Sequence, residues 1–122
     1  DAIVLENRNG VGRLLRLDLD NGVFSTITRT TTGTGTGDGG PASQGRLSGN
    51  PQDVAADADG NLYVAEPISG QVSRIRKIAN DGTLSVFAGG GADDGIGNPN
   101  DGDNGPATGA FFSFFNGITV AE

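Results

Sequence analysis

The sequence predicts an all-β fold made of two four-stranded antiparallel meanders, separated by long glycine-rich connections. Three observations lead there. Apolar and β-branched residues fall in short runs bounded by Asn-Gly, Asp-Gly and Gly-Pro pairs, the punctuation of strands and tight turns. No window of about 10 to 15 residues places apolar side chains at the i, i+3, i+4, i+7 spacing of an amphipathic helix. The chain also repeats itself. Gly37-Asp38-Gly39-Gly40-Pro41-Ala42-Ser43 returns 65 positions later as Gly102-Asp103-Asn104-Gly105-Pro106-Ala107-Thr108. Asn21-Gly22-Val23-Phe24-Ser25-Thr26-Ile27 returns 60 positions later as Asp81-Gly82-Thr83-Leu84-Ser85-Val86-Phe87. The 122 residues thus hold two copies of a unit of about 61, the mark of a repeat architecture whose units cannot bury their own faces.

The first strand is read over residues 2–5, Ala-Ile-Val-Leu, and the turn-forming Asn9-Gly10 leads to a second over 13–19. Asp20-Asn21-Gly22 then makes a tight hairpin, because Asn-Gly readily takes the positive φ values of a type I′ turn, and 23–28 returns. Residues 29–50 are a Thr/Gly-rich excursion that ends in Pro41-Ala42 and Leu47. A complete sheet follows over 52–88: strands 53–56, 61–65, 73–78 and 84–88, turned by Asp57-Ala58-Asp59-Gly60 and Asp81-Gly82. A second excursion covers 89–110, and the last strand is read over 117–121. Three strands, then four, then one make eight. Residues 117–122 followed by 1–6 read like 53–57 followed by 63–66, so 117–122 and 1–28 together form a split second sheet. It is completed either by pairing of the chain's own ends or by strand exchange with a neighbour.

Composition narrows the function classes. Only 34% of residues are hydrophobic, lean for an autonomous core, and such domains generally need disulfides, metal or a partner chain. With no Cys the disulfide route is closed, and with no His either, a His- or Cys-ligated zinc or copper site is excluded within one chain. The net charge of −7 opposes nucleic acid and anionic membranes, since a phosphate binder needs a basic footprint. Arg13, Arg16, Arg74, Arg76 and Lys77 cluster, but on two similar strands, and read as solvent-facing positions paired locally with Asp or Glu. No run of about 18 apolar residues is present to span a bilayer. The absence of Met and of a leader at Asp1 reads as a processed or excised chain, and favours an extracellular or secreted setting.

At this point the chain resembles the NHL-repeat β-propeller family. The likeness rests on the Gly-Asp-Gly-Gly-Pro-Ala loop, Leu47, Pro51, the run from Val54 through Asp57-Ala58-Asp59-Gly60-Asn61-Leu62-Tyr63-Val64-Ala65-Glu66, Arg74-Ile75-Arg76-Lys77-Ile78 and Asp81-Gly82-Thr83-Leu84. It is tight over 37–88 and loosens at 7–11 and in the loop 89–101. Family members often carry Asp where Glu6 and Glu66 stand. Phe111-Phe112-Ser113-Phe114-Phe115 departs from the pattern, which has a single apolar residue and a proline there. The resemblance implies four-stranded blades packed face to face around a channel, two per chain. Two blades alone would leave broad apolar faces exposed, beyond what a monomer tolerates. A homotrimer would close them into a six-bladed ring, the terminal strand of one chain sealing a blade of the next. A rotation that fails to close would instead build a filament.

Candidate sites follow, each with its plainer reading. Asp57-x-Asp59-x-Asn61 and Asp101-x-Asp103 have the alternating carboxylates of calcium loops but lack the Gly and bidentate Glu of an EF-hand, and the same residues are what hairpins require. The better calcium cluster is Asp93, Asp94, Asp101 and Asp103; no other cofactor is expected. The Gly-Asp-Gly-Gly-Pro-Ala loops lack the Lys and Ser/Thr of a phosphate cradle. Their expected role is conformational, with Gly at positive φ, Pro fixing φ, and Asp38 or Asp103 bonding nearby backbone N–H groups. Phe111, Phe112, Phe114 and Phe115 read as an apolar plug between blades, Phe112 aligning with Leu47, or else as an aromatic pocket. Glu6 and Glu66 end equivalent strands which, the resemblance implies, lie near the channel mouth, where a ring of carboxylates could hold a cation or a polyol. Related propellers include lactonases and lyases, but this chain offers no nucleophile-base pair beyond Ser or Thr with carboxylates. The reading is a non-enzymatic interaction or scaffold module that assembles with itself. An extracellular filament subunit and a fragment of a metal-dependent hydrolase or lyase are the alternatives.

Overall fold

The computed structural model describes residues 1–8, 11–31, 35–69, 72–91, 105–113 and 117–121. Among these, eight strands form two four-stranded sheets, with one 3-10 turn at Ala107–Gly109 and no α-helix. The first sheet holds β1 (Ala2–Arg8), β2 (Val11–Leu17), β3 (Phe24–Thr31) and β4 (Arg46–Ser48) in that order. The second holds β5 (Asp53–Ala56), β6 (Leu62–Ser69), β7 (Val72–Ile78) and β8 (Leu84–Gly89), an uninterrupted antiparallel meander. The all-β, two-sheet architecture is thus as the sequence predicts and is consistent with two propeller-like blades, except that the first sheet is an antiparallel meander only over β1–β3, β4 joining it in parallel.

Three local differences have physical reasons. β2 stops at Leu17 because Asp18 folds over the turn, its carboxylate accepting the N–H of Asp20 at 2.9 Å and the Asn21 side-chain amide at 2.6 Å. Gly22 takes φ 72°, open to glycine without strain. The eighth strand is β4, which lies inside the predicted excursion and pairs with β3 in parallel, Thr30 opposite Leu47. Residues 117–121, predicted as a strand, carry no strand pairing among the described residues. They lie against the second sheet instead, with the Ile118 N–H donated to the Asp53 carboxylate at 3.0 Å.

The core forms where the sheets meet. Leu14, Ala42, Leu47, Leu62, Val64, Ile78 and Leu84 are buried together, with Ile3, Leu5, Ile27 and Val54 packed against them. Strand register decides which face each residue takes, since directly opposed residues share a face. On the first sheet Leu5 opposes Leu14 and points inward, while Val4 opposes Leu15 and Glu6 opposes Arg13 on the outward side. On the second sheet Leu62 opposes Ile78, Val64 opposes Arg76 and Glu66 opposes Arg74, all facing the first sheet. Tyr63, Ala65, Ile75 and Lys77 take its outward side. The repeat places Val4 at the position of Val64 and Glu6 at that of Glu66. Equivalent faces therefore do not meet: the two sheets stack in the same sense, the back of one on the front of the next.

The connection from β3 to β5 seals this contact. Gly39 donates its N–H to the Leu84 carbonyl at 2.8 Å, Leu84 returns its own to Gly40 at 2.9 Å, and Ala42 donates to Gly82 at 2.8 Å. Gly37 and Gly39 take φ of 93° and 85°, the left-handed conformation expected of this motif. The loop of one sheet is in effect a border strand laid beside the other.

Candidate functional site

The polar centre of the sheet-to-sheet contact is Glu66, at the far end of the β6–β7 pairing. Its side chain is fully buried, and both carboxylate oxygens are engaged. One accepts from Arg74 Nε at 2.6 Å and from Arg76 at 3.2 Å. The other accepts the backbone N–H of Ser48, from β4 of the first sheet, at 2.7 Å. Arg76, also fully buried, extends the network to the Asp38 carboxylate at 2.9 Å and the Arg46 carbonyl at 3.3 Å. Arg74 reaches the Gly35 carbonyl at 3.2 Å. Two guanidinium groups and two carboxylates balance in charge, and such charge-assisted bonds are short and directional. Only the Arg76 Nε finds no acceptor among the described residues.

This corrects three readings of the sequence. Arg74 and Arg76 are not solvent-facing: the loop over 35–48 covers them and their charges are met by Glu66 and Asp38. Asp38 spends its carboxylate on Arg76, where backbone N–H groups were expected. Glu66, expected beside an open mouth, is enclosed between the sheets.

Glu6 occupies the corresponding place on the first sheet and has only part of that surrounding. Arg13, the counterpart of Arg74, donates Nε to it at 2.7 Å. The two side chains remain 35% and 40% exposed, against 0% and 11% for Glu66 and Arg74. Leu15 stands where the second sheet has Arg76, and Phe24, 55% exposed, where it has the fully buried Leu84. Val4, Glu6, Arg13, Leu15, Phe24 and Thr26 line an open cleft of about 330 Å³. A second cleft, of about 360 Å³, lies on the outward face of the other sheet, where Tyr63, Ile75 and Phe87 meet Ile118, Thr119 and Val120 of the C-terminal segment.

The other sequence candidates separate clearly. Asp93, Asp94, Asp101 and Asp103 lie outside the described residues, as do Phe114 and Phe115. Among the described residues no three acidic groups converge on a common cation position. Asp57 turns inward on its own hairpin: it accepts the Asn61 N–H and amide at 2.8 Å each, the Asp59 N–H at 3.1 Å and the Tyr63 hydroxyl at 3.0 Å. Phe112 sits half-buried at the end of β7, its carbonyl accepting the Ser73 N–H at 2.7 Å.

The Asn61 side-chain hydrogen bond, aided by those from Asn61 N–H, Tyr63 and Asp59, holds the Asp57 carboxyl below the usual carboxylate range. The unfolded chain therefore takes up this proton first as pH falls. The stabilisation by Asp57 is full above the ordinary carboxylate pKa and is lost as pH drops through its lowered native value. Urea midpoints measured from about pH 6 to about pH 2.5 should show Asp57→Ala less stable than the parent at the upper end, with the gap closing at the lower. A gap independent of pH would remove the charge from this account.

No protein-family model matches the chain, and no curated protein or solved structure matches it significantly.

Proposed function

We propose that the chain is a non-enzymatic scaffold unit, two propeller-like blades that bind further copies of themselves and close into a homotrimeric ring of six. One observation carries this reading. The outward face of the first sheet repeats, position by position, the face of the second sheet that the first already covers, with Val4, Glu6 and Arg13 unchanged and Leu15 and Phe24 in place of Arg76 and Leu84, yet it stands open. Sheets stacked in the same sense leave unlike faces at the two ends, and a contact between unlike faces propagates from copy to copy. Phe24, Val4 and Leu15 at one end, with Tyr63, Ile75 and Phe87 at the other, are apolar surfaces of the kind that association buries. The number six comes from the family resemblance.

The position of residues 117–121 supports association between copies over closure of a chain on itself. These residues lie on the side of the second sheet that faces away from β1. Pairing with a neighbour's β1 keeps them on that side; pairing with their own would carry them around the sheet.

Light scattering after size exclusion, in dilute buffer at micromolar chain, tests the proposal. A sharp species of three chains is expected. A stable single chain would overturn association altogether, and a broad distribution growing with concentration would replace the ring with a filament.

A further inference from the structure

The self-association proposed above would need a polar register point, and the two glutamates locate it. In the covered contact, Glu66 receives the backbone N–H of Ser48, the residue following Leu47, whose side chain is fully buried in the core. The repeat at 65 positions makes Phe112 and Ser113 the counterparts of Leu47 and Ser48, and Phe111 that of Arg46. Ser48 is fully buried, whereas Ser113 is exposed. Glu6 is held by Arg13 alone among the described side chains, and half its surroundings are missing.

The substitutions around these positions are mutually compensating. In the covered contact Arg76 lies across the β4 backbone and uses the carbonyl of Arg46. In the open face the place of Arg76 is taken by the smaller, apolar Leu15, and on the counterpart segment Arg46-Leu47 is replaced by the larger, apolar Phe111-Phe112. A polar contact is thereby rewritten as an apolar one, on both partners at once. The aromatic pair that departs from the family pattern gains a reason: it supplies volume that Leu15 gives up, and the open cleft of about 330 Å³ has room for it.

We propose that Glu6 is the docking point for a second copy of this chain, its carboxylate accepting the backbone N–H of the neighbour's Ser113 while the neighbour's Phe112 covers Val4, Leu15 and Phe24. The contact reproduces the bond between Ser48 and Glu66 across a chain boundary. It rests on the self-association reading, and it adds a specific hydrogen bond and a specific apolar plug.

The test compares Glu6→Ala, Ser113→Pro, Ser113→Ala and the double variant Glu6→Ala/Ser113→Pro with the parent by sedimentation over a range of concentrations. Alanine at 6 removes the acceptor and proline at 113 removes the N–H that the proposal uses; alanine at 113 keeps it. Glu6→Ala and Ser113→Pro should each raise the concentration at which copies separate by about tenfold or more, because a hydrogen bond to a charged group is lost. Ser113→Ala should leave it unchanged. The double variant should be no weaker than the worse single one, since both remove the same bond. Circular dichroism and urea midpoints of Glu6→Ala, compared at concentrations where parent and variant are both dissociated, should stay close to the parent's. If the parent associates and Glu6→Ala and Ser113→Pro associate just as tightly, or their effects simply add, this docking point is wrong while self-association stands. If the parent never associates, the wider reading falls first.

Discussion

Glu66→Ala is expected to destabilise the fold by about 3–5 kcal/mol, the usual loss when one partner of a buried ion network is removed. The carboxylate neutralises Arg76, which has no exposed surface, and satisfies the Ser48 N–H that crosses from the other sheet. Alanine would leave a guanidinium facing Asp38 alone and a buried donor without an acceptor. Glu66→Gln should fall between the two, because an amide oxygen can still accept from Ser48 while no longer balancing the arginines. The matching change on the first sheet, Glu6→Ala, should cost under about 1 kcal/mol in the dissociated chain, as is typical of exposed pairs. Urea denaturation at matched protein concentration reads all three. A cost for Glu66→Ala as small as that for Glu6→Ala would mean that the network is not closed as described.

Leu47→Ala carries the second large expectation, about 2–5 kcal/mol. Leu47 has no exposed surface and belongs to the cluster formed by Leu14 and Leu62, one from each sheet. Its strand is only three residues long, so β4 has little local pairing to hold it once the side chain is shortened. The expected signature is a lower urea midpoint together with weaker protection of the Ser48 amide in hydrogen exchange. Phe24→Ala is the informative control, since Phe24 is 55% exposed. Its truncation should leave the dissociated chain near parental stability and weaken association instead. A Leu47→Ala protein as stable as the parent would show that the two sheets are not joined through this side chain.

Much of the architecture is legible from the sequence because turns and strands here obey local rules. Asp57 through Asn61 form a hairpin in which the carboxylate serves the turn itself, and the Asp-Gly pair at 81–82 behaves likewise. The period-two strands of the second sheet fall within a few residues of their predicted limits. What escapes is tertiary in origin. β4 has no strand-like run of its own; Arg46–Ser48 become a strand because β3 and the core receive them. Arg74 and Arg76 read as surface positions because charge ordinarily marks solvent, yet a loop 30 to 40 residues away in sequence encloses them. The available signal was Glu66 placed opposite Arg74 across a hairpin, repeated by Glu6 opposite Arg13. That repetition identifies a conserved arrangement within the chain itself. Only the three-dimensional contact tells that one copy is closed and the other open.

The same-sense stacking of the sheets also has a consequence for how the proposed assembly would count. A body with identical ends can pair about a two-fold axis and stop, but here such a pairing would bring Glu6 against Glu6, with no Ser48-like donor between them. Under the proposed association growth would instead be vectorial, each addition repeating the rotation that carries the first sheet onto the second. With two sheets per chain, stoichiometry would become a matter of geometry: a closed ring requires that the inter-sheet rotation, taken twice, divide a full circle. Tighter or weaker binding would alter how long such an assembly lasts. Only a change in that angle, set at the buried contact that holds Leu47 and Arg76, would alter how many chains it contains.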